Sequence, residues 1–355
     1  MVLKRIEELR NQNLLDAILV SDGFNIRYIS GFSGETGYLY ISNERHVLLT
    51  DTRYTIQAKM EAKEFEVIEV SIEKNYGMWI GEFILEDNVK RLGFEDLHMK
   101  YFEYFKFNQM WKLKEWVALE NSLNSFRMVK TEEEIKKLAQ AEAIGDKAFQ
   151  EILNILKPGM TELEVAAELE YHMKRNGASG LSFDTIAASG INSSMPHATP
   201  TNRKLETGDF LTMDYGCVFE GYCSDMTRTV VIGKASQKQK EIYQIVLKAQ
   251  LAALDAICAG KTGSEIDKVA RDIIEKEGYG EYFGHGLGHS VGLFIHEEPR
   301  LSPVGNIILE ENVIETVEPG IYLPGFGGVR IEDMVVVKKD GCINLTHSTK
   351  ELIEI

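Results

Sequence analysis

Residues 210–233 have the sequence FLTMDYGCVFEGYCSDMTRTVVIG, in which two apolar runs flank a polar centre. This pattern predicts a β-hairpin with its turn near residues 219–221. If residues 219–220 form a two-residue loop, Asp214 and Asp225 lie directly opposite each other, with Cβ atoms about 5 Å apart. Two carboxylates at that distance repel, so one of them must bind a proton unless a cation lies between them.

A second stretch, residues 315–337, also predicts an acid-bearing hairpin. Its sequence is ETVEPGIYLPGFGGVRIEDMVVV, with PGFGG as the turn, Glu318 on one arm and Glu332 on the other. Strand interiors normally disfavour acidic residues, yet each arm carries one among apolar neighbours. Between the hairpins, residues 284–299 (GHGLGHSVGLFIHEEP) contain glycines that allow close approach of the backbone, and His289 offers an imidazole.

Each of these residues has an ordinary structural explanation when it is taken alone. An aspartate in a strand is commonly an edge or surface residue, and a histidine beside glycine is commonly a structural side chain. The metal hypothesis rests on the coincidence of two acid-bearing hairpins and a Gly/His segment in one part of the chain. Four carboxylates and one imidazole suit two divalent cations better than a single structural zinc ion.

The rest of the chain divides into two predicted domains near residue 125. Residues 1–125 alternate short apolar strands with helical stretches, which predicts an α/β domain with a mostly parallel sheet. Residues 126–355 begin with two helices that open at capping boxes, at Thr131 and Thr161, and then become rich in strands. This second part is therefore expected to be an α+β domain that contains both hairpins.

The charge balance argues against several classes of partner. The chain has 39 basic and 55 acidic residues, a formal net charge of −16. Nucleic acids and anionic membranes both require a positive field, so we expect neither as a partner. The four cysteines form no CxxC pair, and no apolar stretch approaches the roughly 20 residues that span a bilayer. These features favour a soluble, reduced, cytoplasmic protein.

The motifs MDYG, SDMTRT, HGLGH, VEPG and RIED, in this order, resemble those of the pita-bread metallopeptidases. That family includes methionine aminopeptidase, aminopeptidase P and prolidase. The resemblance covers about residues 126–355 and implies a pita-bread catalytic domain of the creatinase/aminopeptidase type. It implies two divalent metal ions, manganese or cobalt with zinc and iron as alternatives, and two ligands that bridge them, Asp225 and Glu332. The implied ligands are Asp214, Asp225, His289, Glu318 and Glu332.

The N-terminal part narrows the resemblance to the proline-specific branch of the family. NIRYISGFSG and TDTRY resemble a creatinase-type N-terminal domain, which methionine aminopeptidases usually lack. Arg300 corresponds to the prolidase arginine that holds the carboxylate of a C-terminal proline, a task that suits a two-pronged guanidinium; a surface salt bridge is the alternative. The resemblance implies substrate contacts by His197, His285, His296, Arg300 and Arg330, and catalytic roles for Glu318, His296 and His197.

We therefore expect a homodimeric enzyme that hydrolyses the peptide bond preceding proline in Xaa-Pro dipeptides, with a small peptide as its substrate. The first alternative is an aminopeptidase P, which removes the N-terminal residue from longer Xaa-Pro peptides. The second is a non-catalytic pita-bread binding protein, which the complete ligand set disfavours. Ser290, Phe294 and Glu315 depart from the usual family pattern but remove no ligand.

Overall fold

The computed structural model describes residues 2–355, which form two compact units. The first unit extends to Arg127, and the second runs from Met128 to Ile355. The first has the predicted α/β architecture, and the second has the predicted α+β architecture, so both fold classes are confirmed. Among the described residues, no helix has both the length and the apolar character that crossing a membrane requires.

The first unit contains a six-stranded sheet. Its helices are α1 (Val2–Gln12), α2 (Gly23–Ser30), α3 (Thr55–Glu61), α4 (Tyr76–Glu86) and α5 (Tyr101–Met110). Its strands are β1 (Ala17–Val20), β2 (Tyr38–Ser42), β3 (His46–Thr50), β4 (Glu66–Glu69), β5 (Arg91–Phe94) and β6 (Glu115–Ala118). In the order β4-β3-β2-β1-β5-β6, the β3–β4, β1–β5 and β5–β6 pairs are parallel. The β1–β2 and β2–β3 pairs are antiparallel, so the sheet is mixed but mostly parallel.

The central strands of this sheet are buried on both faces. Ile18 packs in a cluster with Ile6 of α1, whereas its neighbour Leu19 packs in a second cluster with Phe83 of α4. Successive side chains of a strand point to opposite faces, so helices must cover both sides of the sheet. This double burial explains why the strands consist of continuous apolar runs.

The second unit contains four long helices and most of the strands. The helices are α6 (Glu132–Ile152), α7 (Glu162–Arg175), α8 (Gln237–Ala256) and α9 (Gly263–Lys276). The first strands are β7 (Gly180–Leu181), β8 (Ile186–Ser189), β9 (Phe210–Tyr215), β10 (Cys217–Phe219), β11 (Tyr222–Cys223) and β12 (Met226–Val231). The later strands are β13 (Gly288–Ser290), β14 (Glu297–Leu301), β15 (Ile314–Val317), β16 (Gly320–Leu323), β17 (Gly327–Arg330), β18 (Asp333–Lys338) and β19 (Gly341–Asn344).

The same order of elements occurs twice in this unit: two helices, then antiparallel strands. Each of the four helices begins at a capping box, in which the cap hydroxyl accepts an N–H and a Glu or Gln side chain returns the bond. Helices α6 and α7 pack against β9 and β12, and α8 and α9 pack against β15, β16, β17 and β18. Each half therefore has its own core and its own acid-bearing hairpin.

The strands of the second unit pair in the orders β12-β9-β8, β11-β10-β7, β16-β17 and β14-β13-β15-β18-β19. In the last of these sheets, β13 contains the end of the HGLGH segment and lies directly beside β15, which leads into the VEPG segment. The segment containing His289 and the arm containing Glu318 are thus neighbours, although β14 and a loop separate them in the sequence.

Candidate metal centre

The first acid-bearing hairpin turns at Glu220 and Gly221, one residue later than the loop considered from the sequence. Both turn residues have positive φ values, 48° and 90°, which match the two-residue turn that joins twisted strands. The later turn shifts the register, and Asp214 pairs with Thr227. The expectation that Asp214 lies directly opposite Asp225 is therefore wrong, because it depended on the earlier loop.

The shifted register still leaves the two aspartates on one face. Asp225 is two residues from Thr227, the partner of Asp214, and alternate residues of a strand face the same side. Gly216 interrupts the hairpin between β9 and β10, where a Cβ atom would lie 1.9 Å from the carbonyl oxygen of Ser224. Only glycine fits there, so this residue allows the two arms to approach beside Asp225.

The second hairpin keeps one register across two ladders. Val317 pairs with Asp333 and Gly320 pairs with Arg330, so Glu318 and Glu332 lie opposite each other where the ladders separate. Their backbone N–H groups bond outside the hairpin: that of Glu318 donates to the Leu287 carbonyl (2.8 Å), and that of Glu332 donates to the Thr227 carbonyl (3.2 Å). One glutamate is thereby joined to the HGLGH segment and the other to the first hairpin.

His289 directs one ring nitrogen toward the acids. Its Nε2 atom lies 3.5 Å from Asp225 Oδ2 and 3.5 Å from Glu318 Oε1. Its Nδ1 atom lies 3.1 Å from the carbonyl oxygen of Ser290, an acceptor only, so Nδ1 carries the hydrogen. Burial, with the charge of His296, lowers the pKa of His289 to about 3. The imidazole is therefore neutral, the form that binds a metal.

The acids form a tight buried group. Ligand oxygens of Asp214, Asp225 and Glu332 all lie within 4.8 Å of one another. Burial, reinforced by Glu332 and Asp214, raises the pKa of Asp225 well above its usual range. Burial also raises the pKa of Glu332, with Glu318 and Asp214 as the next causes, and raises that of Glu318 to about 7.

Two carboxylate oxygens of this group have no hydrogen-bond donor among the described residues. Asp214 Oδ1 and Glu332 Oε1 are buried, and neither has a hydrogen-bond partner within residues 2–355. Burying carboxylate oxygens without a donor is unfavourable, whereas divalent cations bind such oxygens. The donor set therefore fits divalent metal ions, which hold buried carboxylates in their ionised form.

Two threonines hold carboxylates of the group in place. The Thr227 hydroxyl donates to Glu332 Oε2 (2.6 Å). The Thr316 hydroxyl donates to Glu318 Oε1 (3.0 Å) and accepts the backbone N–H of His289 (3.1 Å). Sequence reasoning missed both threonines. A signal existed for Thr316, because it precedes Glu318 by two residues in an extended segment and shares its face.

Arg330 occupies a hydrogen-bonded chain beside the acids. Its Nη2 donates to Asp214 Oδ2 (2.6 Å), and its Nη1 donates to the Tyr322 hydroxyl (2.7 Å). The Tyr322 hydroxyl lies 2.9 Å from His285 Nε2, while His285 Nδ1 lies 2.7 Å from the Gly286 carbonyl. His285 Nδ1 is thus the donor and Nε2 accepts from Tyr322. Sequence reasoning missed Tyr322, because nothing in the neighbouring sequence indicates these partners.

The remaining predicted residues lie at the open side of the site. His197 is exposed on the loop after the 3₁₀ turn Gly190–Ser194. The His296 ring packs edge to face on His289, with centroids 4.7 Å apart. Arg300 pairs with His289 across β13–β14. Its guanidinium donates to the His296 carbonyl (3.3 Å) and lies 3.8 Å from Glu298, so a loose salt bridge is present.

One cavity of about 780 Å³ collects the predicted site residues. Such a volume lies within the range of roughly 300–1,000 Å³ that small-molecule sites occupy. Part of its wall is one face of α7, formed by Leu163, Ala166 and Glu170. All ten residues singled out from the sequence line it, namely His197, Asp214, Asp225, His285, His289, His296, Arg300, Glu318, Arg330 and Glu332.

Comparison with known proteins gives matches over the whole chain. The sequence profile of metallopeptidase family M24 matches residues 136–339, and that of the creatinase/prolidase N-terminal domain matches residues 3–129. An Xaa-Pro dipeptidase of Pyrococcus horikoshii is 40% identical over 354 residues, which cover 99% of this chain and 98% of that protein.

Solved structures give the same result for the fold. The structure of an Xaa-Pro dipeptidase from Bacillus anthracis has a TM-score of 0.96 and 41% identity, and the match covers 100% of both chains. The structure of an X-Pro aminopeptidase from Thermotoga maritima has a TM-score of 0.90 and 40% identity, over 98% of this chain and 100% of that one. The pita-bread architecture expected for the second unit is thereby confirmed.

Proposed function

We propose that this chain, which belongs to metallopeptidase family M24, hydrolyses the peptide bond that precedes proline in Xaa-Pro dipeptides. Full-length similarity to Xaa-Pro dipeptidases supports the activity. One structural observation carries the choice of a dipeptide: Arg300 lines the same cavity as the acidic group, and within residues 2–355 its guanidinium has only one 3.3 Å hydrogen bond and one loose ion pair. A carboxylate of the substrate is the partner that such a guanidinium suits.

We assign two divalent cations to the acidic group, with Asp225 and Glu332 as the shared ligands. Asp214 would bind one ion, and His289 with Glu318 would bind the other. When bound, the ions supply a Lewis acid and a water molecule of lowered pKa. A set of four carboxylates and one imidazole suits manganese or cobalt, with zinc and iron as alternatives.

The surrounding residues have separate tasks in this proposal. Arg300 binds the carboxylate of the substrate proline through two parallel hydrogen bonds, which places the bond to be cleaved over the acids. Burial, with the charge of Arg300, lowers the pKa of His296, so its neutral ring donates a hydrogen bond to the oxyanion that develops. His197, on the loop after the 3₁₀ turn Gly190–Ser194, provides a second polar contact.

Glu318 moves the proton in the same proposal. Its Oε1 accepts the Thr316 hydroxyl, which orients the carboxyl group, and Glu318 carries a proton toward the proline nitrogen. Arg330 binds Asp214, and His285 binds Tyr322. Both residues therefore assist substrate binding by holding this wall of the cavity in place.

The second candidate is an aminopeptidase that acts on longer Xaa-Pro peptides. The structural likeness to the Thermotoga maritima X-Pro aminopeptidase supports it, at nearly the same identity as the dipeptidases. A cavity of about 780 Å³ also accommodates more than two residues. A non-catalytic binding protein is disfavoured, because such a role does not require a complete set of ligands.

One experiment separates the three candidates. The purified protein is analysed for metal content and then assayed with Ala-Pro and Ala-Pro-Ala under manganese and under cobalt. The proposal predicts about two metal ions per chain and a kcat/KM for Ala-Pro at least about tenfold above that for Ala-Pro-Ala. Preference for the tripeptide contradicts the dipeptidase assignment, and metal binding with no hydrolysis of either peptide favours the binding protein.

We also propose a homodimer in the cytoplasm. The support is the resemblance of the first unit to the creatinase-type domain and the absence of paired CxxC cysteines from the sequence. Light scattering of the purified protein tests the assembly, with a mass near 80 kDa expected from a 40.1 kDa chain. A mass of 40.1 kDa that does not change with protein concentration contradicts the dimer.

A further inference from the structure

Helix α6 places a fifth carboxylate, that of Glu142, directly behind the proposed metal ligands. The residue is fully buried, with 0% exposure. Its Oε2 accepts the backbone N–H of Asp225 at 3.3 Å, and its Oε1 accepts the Thr346 hydroxyl at 2.6 Å. Both oxygens are therefore engaged by donors from distant parts of the chain, and one donor belongs to a proposed shared ligand.

The N–H of Asp225 depends on Glu142 for its hydrogen bond. Asp225 lies between β11 and β12, outside the ladder in which Thr227 pairs with Asp214. The residue is 5% exposed, so water is a poor substitute as an acceptor. A buried backbone N–H without an acceptor destabilises the segment that carries it. That segment is then expected to move until the N–H has an acceptor.

The second oxygen of Glu142 reaches the other shared ligand through Thr346. The Thr346 hydroxyl donates to Glu142 and accepts the N–H of Met334 at 2.9 Å. Met334 lies in β18, two residues after Glu332. One buried carboxylate thus connects the segment of Asp225 with the strand that follows Glu332.

We propose that Glu142 is a positioning residue for the metal centre, which sets the spacing between Asp225 and Glu332 and thereby the affinity for divalent cations. The inference rests on the proposed two-metal function and extends it to a residue that binds no metal itself. A carboxylate suits the task because its two oxygens accept two donors, whereas an amide side chain has only one acceptor oxygen. Loss of such a supporting contact typically lowers metal affinity by about 10- to 100-fold.

The same helix provides a matched control. Asp146, one turn after Glu142, is also buried and also accepts hydrogen bonds from the C-terminal segment. Its partners are the N–H of His347 (2.8 Å) and the N–H and hydroxyl of Ser348 (2.7 and 2.5 Å). Asp146 has no direct hydrogen bond to a proposed ligand in the described structure, so its loss disturbs packing without removing the acceptor of the Asp225 N–H.

The test is a Co²⁺ titration of the metal-free full-length protein, followed by visible absorption, in Glu142→Gln and Asp146→Asn beside the wild type. Melting temperatures of the metal-free proteins are measured in parallel. We expect the Co²⁺ dissociation constant to rise about 10- to 100-fold in Glu142→Gln. In Asp146→Asn it stays within about threefold of the wild-type value while the melting temperature falls.

Thr346 provides a second, gentler pair of variants should Glu142→Gln fold poorly. Thr346→Val removes the hydroxyl and keeps the shape, so Co²⁺ affinity falls, and Thr346→Ser keeps the hydroxyl and retains the affinity. Equal affinities in this pair, wild-type affinity in Glu142→Gln, or an equal loss in Asp146→Asn each overturn the role of Glu142. A wild-type protein that takes up no Co²⁺ overturns the proposed function as well.

Discussion

The carboxylates of the acidic group divide their two oxygens between different partners. Asp214 gives Oδ2 to Arg330, and Glu332 gives Oε2 to Thr227, while the second oxygen of each is buried with no partner in residues 2–355. A protein donor on one oxygen fixes the orientation of the carboxylate and leaves the other for a ligand. Protein donors thus orient the carboxylates, and a bound cation is left to neutralise their negative charges.

Asp225→Asn tests the acidic group directly. Asparagine removes one charge and one ligand oxygen from the proposed shared position, so we expect the metal content to fall and activity to drop at least about a hundredfold. Inductively coupled plasma spectrometry gives the metal content, and Ala-Pro hydrolysis gives the activity. The control is Asp255→Asn, which makes the same change on the exposed surface of α8. Near-normal turnover in the Asp225 variant would falsify the assignment.

Arg300→Ala tests recognition of the substrate carboxylate. Removal of the guanidinium should lower kcat/KM for an Xaa-Pro dipeptide by about 10- to 100-fold, because a charge-assisted bidentate pair is lost. The loss for a tripeptide should be several times smaller, since its carboxylate lies one residue further on. Arg300→Lys keeps the charge without the fork and should be intermediate. Equal losses on both substrates would show that Arg300 acts only through its salt bridge with Glu298.

At the scale of elements, each helix pair of the second unit precedes a hairpin that contains two acids. The first pair precedes Asp214 and Asp225, and the second precedes Glu318 and Glu332. The amino-acid sequence shows no repeat, because the two halves correspond only in where their helices begin and where their acids lie. The apolar residues between these positions differ. Each half also supplies one threonine whose hydroxyl donates to a glutamate of the second hairpin: Thr227 donates to Glu332, and Thr316 donates to Glu318.

Gly216→Ala tests how strictly the first hairpin requires its interruption. A methyl group there would meet the backbone of Ser224 at 1.9 Å, and backbone cannot move aside as a flexible side chain can. We expect a loss of stability of about 1–3 kcal/mol together with weaker metal binding. Gly180→Ala is the control, because its Cβ would meet nothing within 4 Å. A Gly216 variant that melts and binds metal as the wild type does is inconsistent with a steric clash at this position.

At the scale of the whole molecule, the net charge of −16 is mostly surface charge. The four acids of the acidic group are only a small part of the 55 acidic residues, and two divalent cations would cancel their charge. The acids of this group nevertheless dominate the response of the metal-free protein to pH near neutrality, because burial raises the pKa values of Asp225, Glu318 and Glu332 above those in the unfolded chain.

The metal-free protein should lose stability as pH rises from 6.5 to 8. Burial raises the pKa of Glu318 to about 7 from an ordinary value of 4.5, and it raises the pKa values of Asp225 and Glu332 well above their usual range. In this window the folded state holds protons that the unfolded state has released, so raising the pH removes stabilisation. His285 and His289 act the other way, but only below about 6.5, because burial lowers their pKa values.

Calorimetry with a chelator and with Mn²⁺ at pH 6.5 and pH 8 measures this effect. The melting temperature of the metal-free sample should fall over the interval, and the stabilisation by Mn²⁺ should grow, because the cation replaces the protons. The Mn²⁺-loaded sample serves as the control for the rest of the surface. A metal-free melting temperature that increases from pH 6.5 to pH 8 contradicts the assigned pKa shifts.

The sequence by itself determined the fold classes, the helix starts at Thr131 and Thr161, and the ten residues that line the cavity. Caps and apolar periodicity are local properties, so they are readable over a few residues. The order of the motifs identified the ligand candidates through the family resemblance, without any knowledge of distances.

Only the tertiary structure decided the register of the first hairpin and the partners that support the acids. The turn falls at Glu220-Gly221, a difference of one residue that changes which side chains are opposed. Thr227 meets Glu332 across 105 positions, and Thr346 meets Glu142 across 204. Such contacts depend on how separate helices and hairpins pack against one another, and no local pattern of residues encodes that packing.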